Sequence, residues 1–385
     1  MKDLYYYFYD LNEVLIDRYP ARIANQIRSI DSNSKFIFIY SEKYRNNHPE
    51  KIPDGSKFFF IPDLNKIKLD KIIKKHPPKS LTTIAQRIPD MWILTYFNNH
   101  KIPTQLVQHG LWSDRLERIP LIPLLLGKFS KFVNYLKHVK EICRINGIPI
   151  YSTLTDLYHF LLKEDITIPE SKHLNNNMIR ANKVFAFDHS WNDYYVGKYG
   201  YSQEMLIYIG NPDLLLLKGK EIDKKEEAVC YLCQSLVEDG RLSKEVFSSF
   251  LEILKIHVAD QKKLYIKLHP RSKMDFYDIL KNKKNIVFTN DLPICNLYIA
   301  HYTGLLATAK QISDNILIWL LPNHHTPEYF QNFGSVVTDR ADVLKDFISG
   351  KIPLLKKDHI KKLSKDELEH FDPIKSIADY LIEQS

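Results

Sequence analysis

The feature that most constrains the fold is an alternation of short apolar runs with segments of helical periodicity, which continues along most of the chain. Strands are predicted near the start of the chain at residues 4–9, 35–40, 57–61, 81–85 and 105–108. Helical patterns lie between them at 21–29, 67–75 and 90–99. This alternation is typical of an α/β fold in which a parallel sheet carries helices on both faces.

A second series of the same kind follows a charged connector at residues 218–227. Before the connector, strands are predicted at 183–188 and 205–209. After it come strands at 228–234, 264–268, 285–288, 296–300, 316–320 and 336–337, with helices at 243–257, 273–280, 305–312, 341–348 and 373–384. We therefore predict two doubly wound, Rossmann-like domains, residues 1–217 and 218–385, facing a central cleft where a ligand can bind.

The first domain is interrupted by a helical insertion at about residues 120–165. Helices are predicted there at 121–143 and 153–162, and the first combines an apolar stripe with Lys128, Lys131, Lys137 and Lys140. A basic amphipathic segment suits the anionic inner face of a cytoplasmic membrane. Helices that pack on a sheet show the same stripe and are the commoner case.

Composition limits the class of protein and its surroundings. The chain has 385 residues, only 12 glycines and a net charge of +8, and it contains neither a Gly-rich dinucleotide fingerprint nor a P-loop. The positive charge fits an anionic ligand or an anionic membrane surface, although a solvated basic surface is the commoner reason for it. The basic residues are dispersed, which disfavours a nucleic-acid binder. The amino terminus lacks the features of a signal peptide, and no apolar run reaches the length of a membrane span, so the expected location is the cytoplasm.

Cysteine usage gives a further expectation. Cys230 and Cys233 have C-x-x-C spacing but lie in an apolar, strand-like run, and no second ligand pair follows them. We expect buried, reduced thiols rather than a redox or zinc pair.

The run at 264–268 ends in the most suggestive motif of the chain, Lys267-Leu268-His269-Pro270-Arg271. Ligands of open α/β sheets bind outside the carboxyl ends of the strands, and this strand would present cations there. The motif predicts a phosphate site, although a structural strand end that happens to carry His-Pro is an equally good interpretation of the motif alone.

Three other predicted strand ends also carry polar groups. The first is Gln108-His109-Gly110. The second follows the strand at 228–234 and comprises Gln234 with Glu238, Asp239 and Gly240; this loop could hold an anion or a ribose, or be a plain acidic turn. The third, Tyr302-Thr303-Gly304, precedes a predicted helix, so Thr303 suits both capping and phosphate binding.

The His-Pro motif, followed about thirty residues later by the Tyr302-Thr303-Gly304 helix start, resembles the carboxyl-terminal half of bacterial GT-B glycosyltransferases that use cytidine-nucleotide donors. These include sialyltransferases and polysialyltransferases and, more distantly, the CDP-glycerol glycerophosphotransferases of teichoic acid synthesis. The resemblance implies that His269 contacts the donor phosphate and helps the nucleotide leave, and that Thr303 binds the same phosphate.

The resemblance does not settle the general base. The sialyltransferase groups take it from a D/E-D/E-G motif, whose letters Glu238-Asp239-Gly240 match, but their motif precedes the linker and this one follows it. His109-Gly110 occupies the equivalent place and is similar to the His-Gly motif of the glycerophosphotransferases. We expect His109 to be the base, with Glu238 and Asp239 nearer the donor.

The expected function is that of an inverting, metal-independent glycosyltransferase of surface polysaccharide synthesis, in capsule or lipooligosaccharide. Its best-guess reaction moves sialic acid from a CMP-activated donor to a hydroxyl of an oligosaccharide or glycolipid. His109 and His269 are the expected catalytic residues, and donor contacts are expected from Gln234, Glu238, Asp239, Gly240, Lys267, Pro270, Arg271, Tyr302, Thr303 and Gly304. Glycerophosphate transfer, a UDP-sugar donor and a non-catalytic binding protein remain alternatives.

Overall fold

The computed structural model describes residues 3–10, 19–40, 51–60, 64–110, 136–153, 177–238, 240–259, 262–281, 283–322, 326, 328–352 and 362–384. The chain divides into two compact units. The first comprises Met1–His109, Arg118–Pro212 and Asp372–Ser385, and the second comprises Gly110–Glu117 and Asp213–Phe371.

The first unit is built on a parallel sheet of seven strands. Their bounds are β1 Tyr5–Asp10, β2 Lys35–Tyr40, β3 Lys57–Phe60, β4 Pro78–Thr83, β5 Thr104–Val107, β6 Lys183–Ala186 and β7 Leu206–Tyr208. They lie side by side in the order β3-β2-β1-β4-β5-β6-β7. The order reverses between β1 and β4, which is the arrangement of a doubly wound fold.

The second unit contains a parallel sheet of six strands in the order β10-β9-β8-β11-β12-β13. Their bounds are β8 Glu226–Leu232, β9 Lys263–Lys267, β10 Ile286–Thr289, β11 Cys295–Ala300, β12 Ile316–Trp319 and β13 Val336–Thr338. The reversal falls between β8 and β11, so the loops that follow these two strands flank the crevice of this sheet.

The helices are α1 Pro20–Ile30, α2 Lys66–Lys75, α3 Ile88–Asn99, α4 Lys244–Leu254, α5 Leu305–Ile312, α6 Glu328–Gln331, α7 Ala341–Ile348, α8 Lys365–His370 and α9 Pro373–Glu383. Residues 136–146 are also helical. Helix α9 packs on α1, because each buries an apolar stripe, and this contact assigns residues 372–385 to the first unit. The sequence-based division had instead assigned them to the second domain.

Aromatic residues fill much of the first core. All six residues of β1 are buried, and five of them are Tyr or Phe. The Phe8 ring stacks on Phe38 of the neighbouring strand with centroids 5.2 Å apart. Tyrosines and phenylalanines of the strands therefore serve mainly as core, as their positions in apolar runs indicated.

Most sequence-based element predictions are confirmed. Every predicted strand has a counterpart in one of the two sheets, and all four cysteines are buried thiols. The predicted helix at 273–280 is instead a 3-10 helix, Met274–Leu280. Most of the predicted insertion helices, 121–143 and 153–162, lie outside the described residues. No helix among the described residues is long and apolar enough to cross a bilayer.

Candidate functional site

Three loops meet at the carboxyl edge of the second sheet, where its strand order reverses. They follow the adjacent strands β9, β8 and β11 and carry most of the residues that the sequence singled out. The loop after β8 lies in the middle and bonds to both of the others. The structure therefore brings Gln234, Glu238, the His-Pro motif and the Tyr302-Thr303-Gly304 segment together at one edge of the second unit.

Gln234 ties the loop after β8 to the loop after β11. Its Oε1 accepts a hydrogen bond from the Tyr302 N–H at 3.1 Å, and its Nε2 donates to the Tyr302 carbonyl. A side-chain amide can satisfy a backbone donor and acceptor at once. Gln234 thus fixes the shape of the crevice.

The neighbouring His301 anchors the same loop from below. It is fully buried, and its Nδ1 donates to the Trp319 carbonyl at 2.8 Å, because a carbonyl can only accept. Nε2 then accepts from the Tyr231 hydroxyl at 3.1 Å. The bonds connect β8, β11 and β12 beneath the crevice. His301 is not among the site residues predicted from the sequence, where its only signal is its position directly after β11.

The His-Pro motif forms a tight turn. Pro270 follows His269, and the Ser272 N–H closes the turn by donating to the His269 carbonyl at 2.8 Å. Proline suits the second position of such a turn because its φ is already fixed. The His269 N–H in turn donates to Ser272 Oγ at 3.1 Å, so the turn is bonded twice.

The turn also selects the tautomer of the His269 ring. The Arg271 backbone N–H donates to His269 Nδ1 at 3.2 Å, so Nδ1 carries the lone pair. In the neutral ring the proton then lies on Nε2. His269 is half-buried and carries a hydrogen-bond donor on the far side of its ring, which suits an anionic ligand.

Two further bonds join the His-Pro turn to the loop after β8. The exposed Arg271 guanidinium donates to Ser235 Oγ at 2.9 Å, and the Lys273 N–H donates to Glu238 Oε1 at 2.8 Å. The Glu238 carboxylate therefore accepts a hydrogen bond from the backbone at the start of the 3-10 helix Met274–Leu280. Gly240 closes the β8 loop with a φ of 68°, in the region that favours glycine, and Asp239 lies outside the described residues.

Lys267 is buried below the edge of the sheet. Only 9% of its surface is exposed, and its ammonium donates to the Leu268 carbonyl at 2.8 Å. Burial lowers its pKa, because a low-dielectric environment disfavours the charged form, and burial likewise raises the pKa of the neighbouring Cys233 thiol to about 12. Lys267 thus supports the strand end that leads to His269.

The segment after β11 leads into helix α5. Thr303 Oγ1 accepts from the Leu305 N–H at 3.4 Å, and Gly304 is the residue before the helix. The Thr303 hydroxyl is thus already turned to the first amides of the helix. The amino terminus of α5 carries the partial positive charge of its dipole at the reversal point of the sheet.

His109 lies at the corresponding edge of the first unit, after β5. Its Nδ1 donates to the Ile84 carbonyl at 2.7 Å, so in the neutral ring the lone pair lies on Nε2. The preceding residue, Gln108, is buried and accepts from the Phe187 N–H at 2.9 Å. Gly110 follows with a φ of 61°, in the region that favours glycine.

An arginine lies at the reversal point of the first sheet. Arg87 Nε is 2.8 Å from Asp90 Oδ2, and Arg87 Nη2 is 3.4 Å from Asp10 Oδ1. Both carboxylates are fully buried, whereas about a third of the arginine side chain is exposed. This group was not identified from the sequence, because its members are far apart along the chain.

The Gln234 clamp provides a test of the crevice. We expect Gln234→Glu to lower the free energy of unfolding by about 1–3 kcal/mol at neutral pH, because a carboxylate oxygen would face the Tyr302 carbonyl. That repulsion would raise the folded-state pKa of the new carboxyl above its unfolded value of about 4.3. The deficit should therefore shrink as the pH falls, since protonation restores a donor.

Denaturant unfolding at two pH values measures this effect, with Gln203→Glu as the control. Gln203 is exposed, so the same charge change there should alter the stability little at either pH. A pH-independent loss in Gln234→Glu would contradict the clamp.

Comparisons with known proteins identify the fold. No family model and no curated protein matches the sequence. Among solved structures, a glycotransferase of kitacinnamycin matches with a TM-score of 0.55 and 10% identity over 100% of both chains. The UDP-GlcNAc 2-epimerase of Neisseria meningitidis, bound to UDP-GlcNAc, matches with a TM-score of 0.54 and 10% identity, also over 100% of both chains. The wall teichoic acid polymerase TagF matches with a TM-score of 0.51 and 10% identity, over 98% of this chain and 88% of the TagF chain. The two sheets and these likenesses show a GT-B fold.

Proposed function

We propose that the chain is a glycosyltransferase that transfers a group from a nucleotide-activated donor to a hydroxyl of a glycan. The observation that carries the proposal is the set of fixed hydrogen-bond donors at the carboxyl edge of the second sheet, among them the His269 ring. His109 keeps a lone pair on Nε2, and His269 keeps a proton there. A base and an anion-stabilising donor need these two states.

In the proposed reaction, His109 Nε2 removes the proton from the acceptor hydroxyl as its oxygen attacks the anomeric carbon of the donor. The bond between that carbon and the phosphate oxygen breaks, and its electron pair stays on the phosphate. His269 Nε2–H and the Arg271 guanidinium stabilise this charge, together with the amino terminus of α5 and the Thr303 hydroxyl. Protein groups thus supply the neutralisation, and we propose that no metal is needed.

The proposed phosphate-binding role of the second unit is supported by the hydrogen bonds that hold its polar groups in place. The β8 loop braces the His-Pro turn through Ser235 and Glu238, and it braces the β11 loop through Gln234. Groups that are already fixed do not have to reorganise as charge develops, which makes them effective in a transition state. Glu238 is engaged with the Lys273 N–H, which favours His109 as the base.

For the donor we propose a CMP-activated sugar, with sialic acid as the first choice and a capsule or lipooligosaccharide hydroxyl as acceptor. The His-Pro motif and the Thr303 helix start support it through their resemblance to the cytidine-nucleotide enzymes. CDP-glycerol-type glycerophosphate transfer is the second candidate, favoured by the His109-Gly110 pair and by the likeness to TagF. A UDP-sugar is the third, since the epimerase structure contains UDP-GlcNAc.

A nucleotide panel tests the proposal. CMP, CDP, UDP, GDP and ADP would each be added to the wild-type protein, and the melting temperature would be measured. At 100 times its dissociation constant a ligand stabilises the fold by about 2.7 kcal/mol, which is easily read as a shift. We expect the largest shift from CMP; a preference for CDP or UDP would select the corresponding alternative.

Two results would weigh against the proposal. If no nucleotide shifts the melting temperature, the phosphate site is wrong and only the fold remains. If a nucleotide binds but no transfer or hydrolysis of the matching sugar donor is detected, the chain is a non-catalytic binding protein. His370→Ala is the control for the effect of replacing a histidine as such. His370 is exposed on α8, so its replacement should leave the melting shift unchanged.

A further inference from the structure

A pocket of about 340 Å³ lies in the first unit, at the edge of the sheet opposite His109. It is formed where β5 and β6 begin, beside the end of α3 and the last turn of α9. Its polar lining includes Asn98, Lys101, Gln105, Asn182, Lys183 and Tyr380. His109 follows the carboxyl end of β5, so the pocket is separate from the candidate site. Pockets for small organic ligands start at roughly 300 Å³, so this one suits a ligand of about one ring.

Lys101 has an unusual backbone conformation. Its φ is 57°, and among the described residues it is the one non-glycine residue in the left-handed region. It occupies the position after the cap of α3, where its N–H donates to the Asn98 carbonyl at 2.9 Å and the Ile102 N–H donates to the Phe97 carbonyl at 3.1 Å. Glycine is the usual residue there, because a side chain is strained. The chain instead keeps a lysine, which adds a cationic residue to the lining of the pocket.

Gln105 supplies an unused acceptor. The residue is only 2% exposed, and its Oε1 is buried with no hydrogen-bond partner among the described residues. An unmade hydrogen bond at a buried carbonyl is unfavourable unless a ligand supplies the donor. Gln105 is paired in register with Lys183 of β6, so amide and ammonium lie on neighbouring strands of the pocket.

The rest of the wall is already fixed. Asn98 Nδ2 donates to the Met178 and Arg180 carbonyls at 2.7 Å, and its Oδ1 accepts from the Thr104 hydroxyl. Lys183 Nζ donates to the Glu204 carbonyl at 2.8 Å. The Lys101 ammonium, in contrast, has no ion-pair partner in the part of the chain that the structure describes. No carboxylate side chain is present among the described lining residues.

From these observations we propose that the pocket is a second ligand site, which binds a single sugar ring bearing a carboxylate. A ring hydroxyl donates to Gln105 Oε1, the carboxylate pairs with the Lys101 ammonium, and one face of the ring packs beside Tyr380. The exposed Gln384, which also lines the pocket, carries a side-chain amide that can donate to and accept from a further hydroxyl. The site goes beyond the proposed transfer reaction and does not depend on it.

Binding can be measured by NMR titration of the full chain with glucuronate. Glucose, which lacks the carboxylate, and acetate, which lacks the sugar ring, serve as comparison probes. We expect glucuronate to bind more tightly than either. Lys101→Gly should weaken glucuronate up to about fivefold, the range of an exposed ion pair, while leaving the melting temperature unchanged or higher. Gln105→Met, a similar volume without the carbonyl, should weaken it roughly threefold to tenfold.

The combination of weaker binding with undiminished stability in Lys101→Gly separates ligand binding from a structural role. The sugar ring could come from a glycan or from a free sugar acid, and a tetrasaccharide of alternating glucuronate and N-acetylglucosamine distinguishes the two sources. Tighter binding of the tetrasaccharide than of glucuronate indicates a glycan, and weaker binding indicates the free acid. The proposal is overturned if glucose binds as well as glucuronate, or if both variants bind glucuronate like the wild type. His269→Ala should bind glucuronate normally, so a failed nucleotide site leaves this test intact.

Discussion

Replacing His109 with glutamine is expected to lower kcat by about 10²–10⁴-fold, the usual contribution of a positioned general base. The amide of glutamine can donate and accept hydrogen bonds, but it cannot take up a proton near neutral pH. The Nδ1–H bond to the Ile84 carbonyl leaves Nε2 as the basic atom of the wild-type ring. Nucleotide affinity should hardly change, because the residues proposed to bind the phosphate belong to the other unit.

Steady-state rates across pH, with the donor identified by the nucleotide panel, measure this effect. A wild-type rate that requires neutral His109 should fall towards low pH, where the imidazole is protonated, and the variant should lose that dependence. His100→Gln is the matched control, since His100 is an exposed histidine at the end of α3 in the same unit. A His109→Gln enzyme with near-normal kcat would transfer the role of base to Glu238 or Asp239.

Replacing His269 with alanine should produce the second large effect, a loss of about 10²–10³-fold in kcat together with weaker nucleotide binding. Its Nε2–H is a hydrogen-bond donor, and leaving-group charge grows towards the transition state. The same substitution should abolish most of the melting shift given by the preferred nucleotide. Arg271 and the start of α5 remain in place, so some affinity should survive.

His269→Gln separates two roles for this histidine. Glutamine carries an amide donor at about the reach of Nε2–H but cannot transfer a proton, so it should recover part of the loss if His269 acts as a hydrogen-bond donor. Recovery would be read in kcat and in the dissociation constant measured by calorimetry. Equal defects in the alanine and glutamine variants would instead indicate that His269 protonates the departing phosphate.

The sequence predicted the framework well and the contacts poorly, for a physical reason. Strand positions follow from local apolar runs, and strand ends such as His109 and His269 can be read from those runs directly. The clamp of Gln234 on Tyr302 and the burial of Lys267 depend on which strands become neighbours, and that depends on the whole sheet. The tautomers of His109 and His269 depend on single backbone carbonyl and amide groups of other residues, and residue type does not indicate where those groups will lie.

The same limit applies to the boundary between the units. The charged connector marks where the chain enters the second unit, but nothing in the residues of α9 shows that it will pack on α1, which is more than three hundred residues earlier in the sequence. An amphipathic helix has a stripe to bury, and its periodicity does not say against which partner.

The pairing of α9 with α1 has a consequence for how the protein is made. During synthesis, residues 213–371 leave the ribosome before α9 does, so the second unit has all its strands while the first still lacks the helix that covers α1. Contacts between such distant segments form late, because closing the long loop is entropically unfavourable. The apolar stripe of α1 therefore stays uncovered for most of translation, and the first half of the chain is the part most dependent on protection from aggregation.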